Sequence, residues 1–258
     1  MKNILKIIYL AVLFVGINPV SAAEKTSLLK VDWSFKGIFG KFDRGSLQRG
    51  YQVYTEVCAS CHSMKYLSYR NLAEKGGPEF SIEQVKAIAA SFEVTDGPNS
   101  DGEMFERPAK LSDKFVKPYE NVKAAQAANG GAYPPDMSVL AKARSGGVDY
   151  IYSVLLGYED PPSGVTLDDG VYYNKYMYGN NIKMAQPLSD GLIEYTDGTI
   201  ASEEQMAKDV STFLMWAAEP HLEARHKMGF KAILYLIILT ILVYFSMKKI
   251  WSRIESKV

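Results

Sequence analysis

Apolar residues recur at helical spacing at Leu47, Tyr51, Tyr54 and Cys58, which predicts a helix over 45–57 running straight into the stretch VCASCHSM. A second short helix is expected through KYLSYRNLAE. Ser81 and Gln84 stand three apart ahead of Val85, Ile88 and Phe92, a capping-box signature for a helix over 81–92. The segment 121–128 reads as helical and stops at Asn129-Gly130-Gly131. Asp136 is placed to cap a helix reaching Arg144, and 149–156 forms another, closed by Gly157. From Tyr158 to Gly198 no period is sustained, and Gly, Pro, Asn and Tyr dominate; unstructured stretches of that length are usually functional. Ser202 and Gln205 open a strong helix with the stripe Met206, Val210, Phe213, Leu214 and Ala217, ending near Pro220. Few stretches alternate with period two, so the expected class is mainly α.

The two ends of the chain carry longer apolar runs. Lys2 and Lys6 precede an 11-residue run, Ile7 to Ile17, and the small residues Ser21, Ala22 and Ala23 follow. That is the layout of a secretory signal peptide over 1–23, cut after Ala22 or Ala23, and it is too short for a spanning helix. Gly229 to Met247 is a 19-residue stretch with one charge, Lys231, at its edge. Its length matches a bilayer core, so 229–247 reads as a transmembrane helix, reached through a polar hinge, HLEARHK. The tail 248–258 holds Lys248, Lys249, Arg253 and Lys257 against Glu255, which places it in the cytoplasm and exports 24–228.

The chain's zero net charge conceals an asymmetry. The exported part, about 205 residues, holds 22 of the 29 basic and 28 of the 29 acidic residues, a balance of about −6. Acids cluster at Glu93, Asp96, Asp101, Glu103 and Glu106, and again at Glu159, Asp160, Asp168 and Asp169. A single cluster is ordinarily a solvated face, but such a surface repels nucleic acid and steers basic partners.

Candidate chemistry centres on Cys58, Cys61 and His62; the chain has 2 cysteines and 3 histidines in all. Structural zinc needs four ligands and finds no third cysteine. A redox dithiol needs a preceding strand and a βαβ setting, where here a helix precedes. Cys-x-x-Cys-His fits covalent haem attachment: thiols three apart on a helical turn reach two vinyl groups, and the next residue projects an imidazole toward the iron. A methionine in the sixth position would close the iron and raise its potential. Met104, Met137, Met177 and Met184 stand clear of the termini, the motif and the predicted core helix. Of these, Met184 in NNIKMAQPL is favoured by its loop setting ahead of Pro187, against the alternative of a gap-filling core residue.

Five blocks, in order, carry a resemblance: RGYQVYTEVCASCHSMKYLSYRNL, NGGAYPPDMS, ARSGGVDYIYSVLLGYEDPPSGV, NKYMYGNNIKMAQPL and DVSTFLMWAAEP before a single anchor. From about Trp33 to its C-terminus the chain resembles the cytochrome c1 family, the haem subunits of ubiquinol–cytochrome c reductase. The resemblance implies one haem c with thioethers to Cys58 and Cys61 and axial ligands His62 and Met184. It implies Arg144 and Tyr150 near a haem propionate, and Asn129, Pro134 and Pro135 in the wall at the haem edge. The chain departs from many members at Ser145, where they have histidine, and it has no cysteines for the extra disulfide of some bacterial ones. Fold and function follow as expectations: a class I-like cytochrome c domain with long loop insertions plus one C-terminal transmembrane helix, relaying single electrons from a Rieske iron–sulfur protein to cytochrome c. The expected setting is a dimeric complex beside cytochrome b in a bacterial inner membrane, with the haem domain periplasmic and no nucleic-acid partner. A membrane-anchored cytochrome serving an oxidase would have a smaller domain on a tether; a haem sensor would leave the sixth position open.

Overall fold

The computed structural model describes residues 26–255. The expected signal segment 1–23 and the last residues of the tail lie outside it. The described chain is mainly helical, with two small antiparallel hairpins.

The first helix, α1 (Arg44–Val53), is capped by Asp43, whose side chain accepts from Ser46 N. It continues without a break into a π-helical turn, Tyr54–Cys58. A 3-10 turn, Tyr69–Ala73, and α2 (Ile82–Ala90) follow; the Ser81/Gln84 capping box is fully formed. Strands β1 (Glu93–Asp96) and β2 (Phe105–Pro108) pair so that Glu93 faces Pro108. Next come α3 (Val122–Ala128), capped by Asn121, then α4 (Leu140–Ala143) and α5 (Gly147–Leu155). The long irregular segment contains a two-residue pairing of β3 (Tyr172–Tyr173) with β4 (Asn181–Ile182). Two long helices close the chain: α6 (Glu203–Ala218) and α7 (Leu222–Glu255).

The core is built on the crossing of α1 with α6. Gly50 lets the backbones meet, because a Cβ there would lie 2.1 Å from the carbonyl oxygen of Asp209. Next to this contact Arg49 forks onto Asp209, with Nε to Oδ2 at 2.8 Å and Nη2 to Oδ1 at 3.2 Å. Asp209 is fully buried, so the guanidinium is its counter-charge inside the fold. Tyr51 of α1 and Tyr54 of the π turn pack on Phe213 at 5.8 and 5.9 Å, and Phe115 stacks on Tyr69 at 5.0 Å. The helix leading into the motif is thereby fixed to a largely buried helix of the domain.

Three expectations need correction. Asp136 does not cap a helix; α4 starts at Leu140, and Asp136 instead accepts from Ser138 N, Ser63 Oγ and Lys65 N. Ser202 caps α6 by accepting from Gln205 N, but Gln205 Nε2 turns forward to Asp209 Oδ2, so only half of the second box exists. The stretch HLEARHK is not a hinge: α7 begins at Leu222, and Leu222 and Glu223 are buried against the domain. Glu223 accepts from Phe42 N and from both terminal nitrogens of Arg44, which clamps the helix base. Among the described residues α7 is the helix long and apolar enough to cross a membrane, and the chain itself buries none of its apolar stretch.

Candidate functional site

The π turn positions the motif. Ala59 N donates to Tyr54 O at 2.7 Å, five residues back, and Cys58 O then accepts from both Cys61 N (3.1 Å) and His62 N (2.8 Å). Cys58 to His62 therefore form one tight helical turn, with the two unpaired thiols on it and the imidazole directly after. Burial, and then the neighbouring Cys61, push the Cys58 thiol up to about 12.

His62 is buried, and its Nδ1 lies 2.9 Å from the carbonyl oxygen of Pro135. That carbonyl can only accept, so the proton sits on Nδ1 and the Nε2 lone pair is left for a ligand. Burial holds the imidazole below the usual histidine range, with the Pro135 hydrogen bond opposing, and so favours the neutral form. Two zippers keep the parts together. Tyr54 Oη donates to His62 O at 3.1 Å, and Met137 N donates to Ser63 O at 2.8 Å. Asp136 Oδ2 takes Ser63 Oγ (2.8 Å) and Lys65 N (3.0 Å), binding the 135–138 segment to the chain just after the motif.

The other expected residues sit as follows. Asn129 donates to Tyr119 Oη at 3.1 Å and to Ala125 O at 2.7 Å, and Tyr119 Oη lies 3.9 Å from Cys61 Sγ. Asn129 is thus linked to the motif through Tyr119, which no local sequence signal singles out. Arg144 is exposed, with a 3.5 Å donation to Ala143 O, and its charge lies close enough to oppose the burial that raises the Tyr150 phenol. Tyr150 Oη donates to Met177 Sδ at 3.1 Å, so the thioether of Met177 already has a partner. The Met177 loop is fixed by the buried Asn174, which donates to Val154 O at 2.7 Å and accepts from Tyr176 N and Met177 N. Met184 is half-buried, and its carbonyl accepts from Tyr158 Oη at 3.0 Å, which ties its loop to the end of α5.

Two soft sulfurs without disulfide partners, next to an imidazole whose second nitrogen is held by a backbone carbonyl, make a donor set that fits a haem c. The comparisons agree. The model of the "Cytochrome C1 family" matches residues 33–254. The chain belongs to the cytochrome c1 family. It is 50% identical over 225 residues to "Cytochrome c1-2, heme protein, mitochondrial" of Solanum tuberosum, covering 87% of this chain and 85% of that one. It is 46% identical over 245 residues to cytochrome c1 of Rhodospirillum rubrum, covering 89% of each. It is also 52% identical over 239 residues to "Cytochrome b/c1" of Bradyrhizobium diazoefficiens, of whose length it spans only 35%. Membership of the cytochrome c1 family makes this chain a haem-based electron carrier with a membrane anchor, an electron-transfer subunit and not an enzyme by itself.

Proposed function

We propose that this chain carries single electrons from a Rieske iron–sulfur protein to a cytochrome c, as the haem c subunit beside cytochrome b. The observation that carries the reading is the pairing of His62 Nδ1 with Pro135 O next to two free thiols on one helical turn. Cys58 and Cys61 would hold the group through thioethers, and His62 Nε2 would bind its iron. Met184 would supply the second iron ligand; Met177, engaged by Tyr150, is less free to do so. When bound, the group supplies a one-electron couple, and a closed coordination sphere keeps substrates off it. The Pro135 carbonyl at His62 Nδ1 and the Tyr158 hydroxyl at Met184 O would hold the two ligands in place. Arg144 and Tyr150 would face the propionates, with Asn129, Pro134 and Pro135 at the exposed edge.

The domain 24–228 would stand on the periplasmic side of a bacterial inner membrane, with the span 229–247 in the bilayer and the basic tail in the cytoplasm. The dimeric state of the complex belongs to the same proposal. The test is twofold. Wild-type protein should keep its haem through denaturing electrophoresis, and the Cys58→Ala, Cys61→Ala double variant should lose it. Purification in mild detergent should bring cytochrome b and a Rieske protein along; their absence would remove the complex from the reading.

A further inference from the structure

The tight turn over 33–42 ends in a two-residue apolar tip. Lys36 N donates to Trp33 O (3.0 Å), Gly40 N to Gly37 O (3.2 Å) and Lys41 N to Ser34 O (3.0 Å), which folds the segment back on itself. Gly40 is required there, since a Cβ would lie 2.3 Å from the backbone of Phe35. The arms of the turn are buried: Trp33 stacks on Phe35 at 5.6 Å, and Phe35 packs on Phe42 at 5.0 Å. The tip is not; Ile38 is 74% and Phe39 72% exposed.

The location of this tip decides what it meets. Phe39 packs against Phe230 at 6.2 Å, and Phe230 is the second residue of the apolar stretch of α7. The turn cannot swing away, because Phe42 N and Arg44 are both bonded to Glu223 at the base of the same helix. Nineteen residues at 1.5 Å each reach about 28 Å, nearly the full hydrocarbon core, so Phe230 stands at its edge. Exposed Lys41 follows the tip two residues after Phe39, and exposed Lys227 and Lys231 flank Phe230 along α7. The domain as a whole is acidic, yet this end of it offers cations where lipid phosphates lie.

We propose that Ile38 and Phe39 insert into the headgroup–acyl boundary of the bilayer as a second membrane contact, fixing the tilt of the domain above its anchor. The occupant is lipid rather than a partner protein: the exposed tip packs on the start of the apolar stretch of α7, and lysines follow it in the turn and flank Phe230 on the helix. The inference rests on the reading of α7 as a membrane span.

The test is spin-label depth measurement on the full-length holoprotein, with its co-purifying subunits, in nanodiscs of mixed zwitterionic and anionic phospholipid. Labels go on Ile38→Cys, Phe39→Cys, Leu239→Cys in the span and Ile200→Cys on the far exposed surface, with unlabelled-site wild type as the blank. Collision with oxygen relative to a water-soluble nickel chelate should be severalfold higher at positions 38 and 39 than at 200, and highest at 239. Tip labels that behave like position 200 would overturn the proposal while leaving the span intact. Tip labels shielded from both probes would overturn it in favour of a protein contact. A label at 239 that collides with the nickel chelate would overturn the span and the tip together.

Discussion

The Nδ1 of His62 and the carbonyl oxygen of Pro135 are 2.9 Å apart across 73 residues of chain. A backbone carbonyl cannot be lost by substitution, so the bond depends on what holds the 135–138 segment in place. Asp136 does this, with its three hydrogen bonds to Ser63, Lys65 and Ser138. Asp136→Ala should therefore destabilise the holoprotein by about 2–3 kcal/mol, the range for hydrogen bonds to a partly buried charge. Thermal unfolding followed at the haem absorbance should show it, together with lower haem incorporation.

Met184→Leu should leave the haem attached while the midpoint potential drops by on the order of hundreds of millivolts, within the span that axial ligands command. Met177→Leu should change the potential far less, since its sulfur partners Tyr150. Tyr158→Phe, which removes the bond to Met184 O, should cost about 1 kcal/mol and keep the ligand. Redox titration of the three variants orders them; a larger drop in Met177→Leu would reverse the ligand assignment.

Asp149 predicts an acid limb. Burial would raise its carboxyl, but the Trp33 indole at 2.6 Å and the ammonium groups of Lys30 and Lys36 outweigh it, so the folded value lies below the ordinary one. Its contribution is fully present above the unfolded value of about 3.9 and is lost as pH falls through the lower folded value. Asp149→Asn should lower stability near neutral pH by about 1–2 kcal/mol and show a shallower loss below pH ~4. Denaturant melts from neutral pH downward measure both.

Docking of a basic soluble cytochrome c should be captured by long-range attraction. The acids of 93–106 ride on the β1–β2 hairpin, where Arg107 already pairs with Asp96, and Lys175 Nζ lies 3.3 Å from Glu159. The free negative charge is therefore smaller than the count of acids. The bimolecular rate should still fall with ionic strength as the Debye length shrinks from about 30 Å at 0.01 M to about 10 Å at 0.1 M. Glu159→Lys with Asp160→Lys should slow association and flatten that dependence in stopped-flow measurements. A rate indifferent to salt would leave these acids as a solvated face.

The motif, the caps and the long apolar run were legible because each is a local signal. Cys58, Cys61 and His62 are fixed by spacing along one turn; Ser81 with Gln84 and the helical stripe of 203–218 need only neighbours three or four residues away. The start of α7 is not legible in the same way: the apolar run begins at Gly229, whereas the helix starts seven residues earlier, because Glu223 finds Phe42 N and Arg44 from a distant part of the chain. The same reason separates the expected from the observed role of Asp136. An aspartate ahead of an apolar pattern offers a helix cap, and only the folded chain supplies the competing donors of Ser63 and Lys65.

The sequence by itself determined that the chain presents two thiols and an imidazole on one turn, that it carries an apolar helix of membrane length, and that residues 24–228 carry an excess of acids, since these depend on residue identity and short-range spacing alone. Tertiary structure decided which nitrogen of His62 is free, which methionine sulfur is already engaged, and how Tyr119 and Asn129 approach Cys61. Those depend on hydrogen bonds that close loops of tens of residues. Their partners are chosen by the packing of α1 on α6 and by the requirement that buried polar groups be satisfied, and neither is written in any single stretch of the chain.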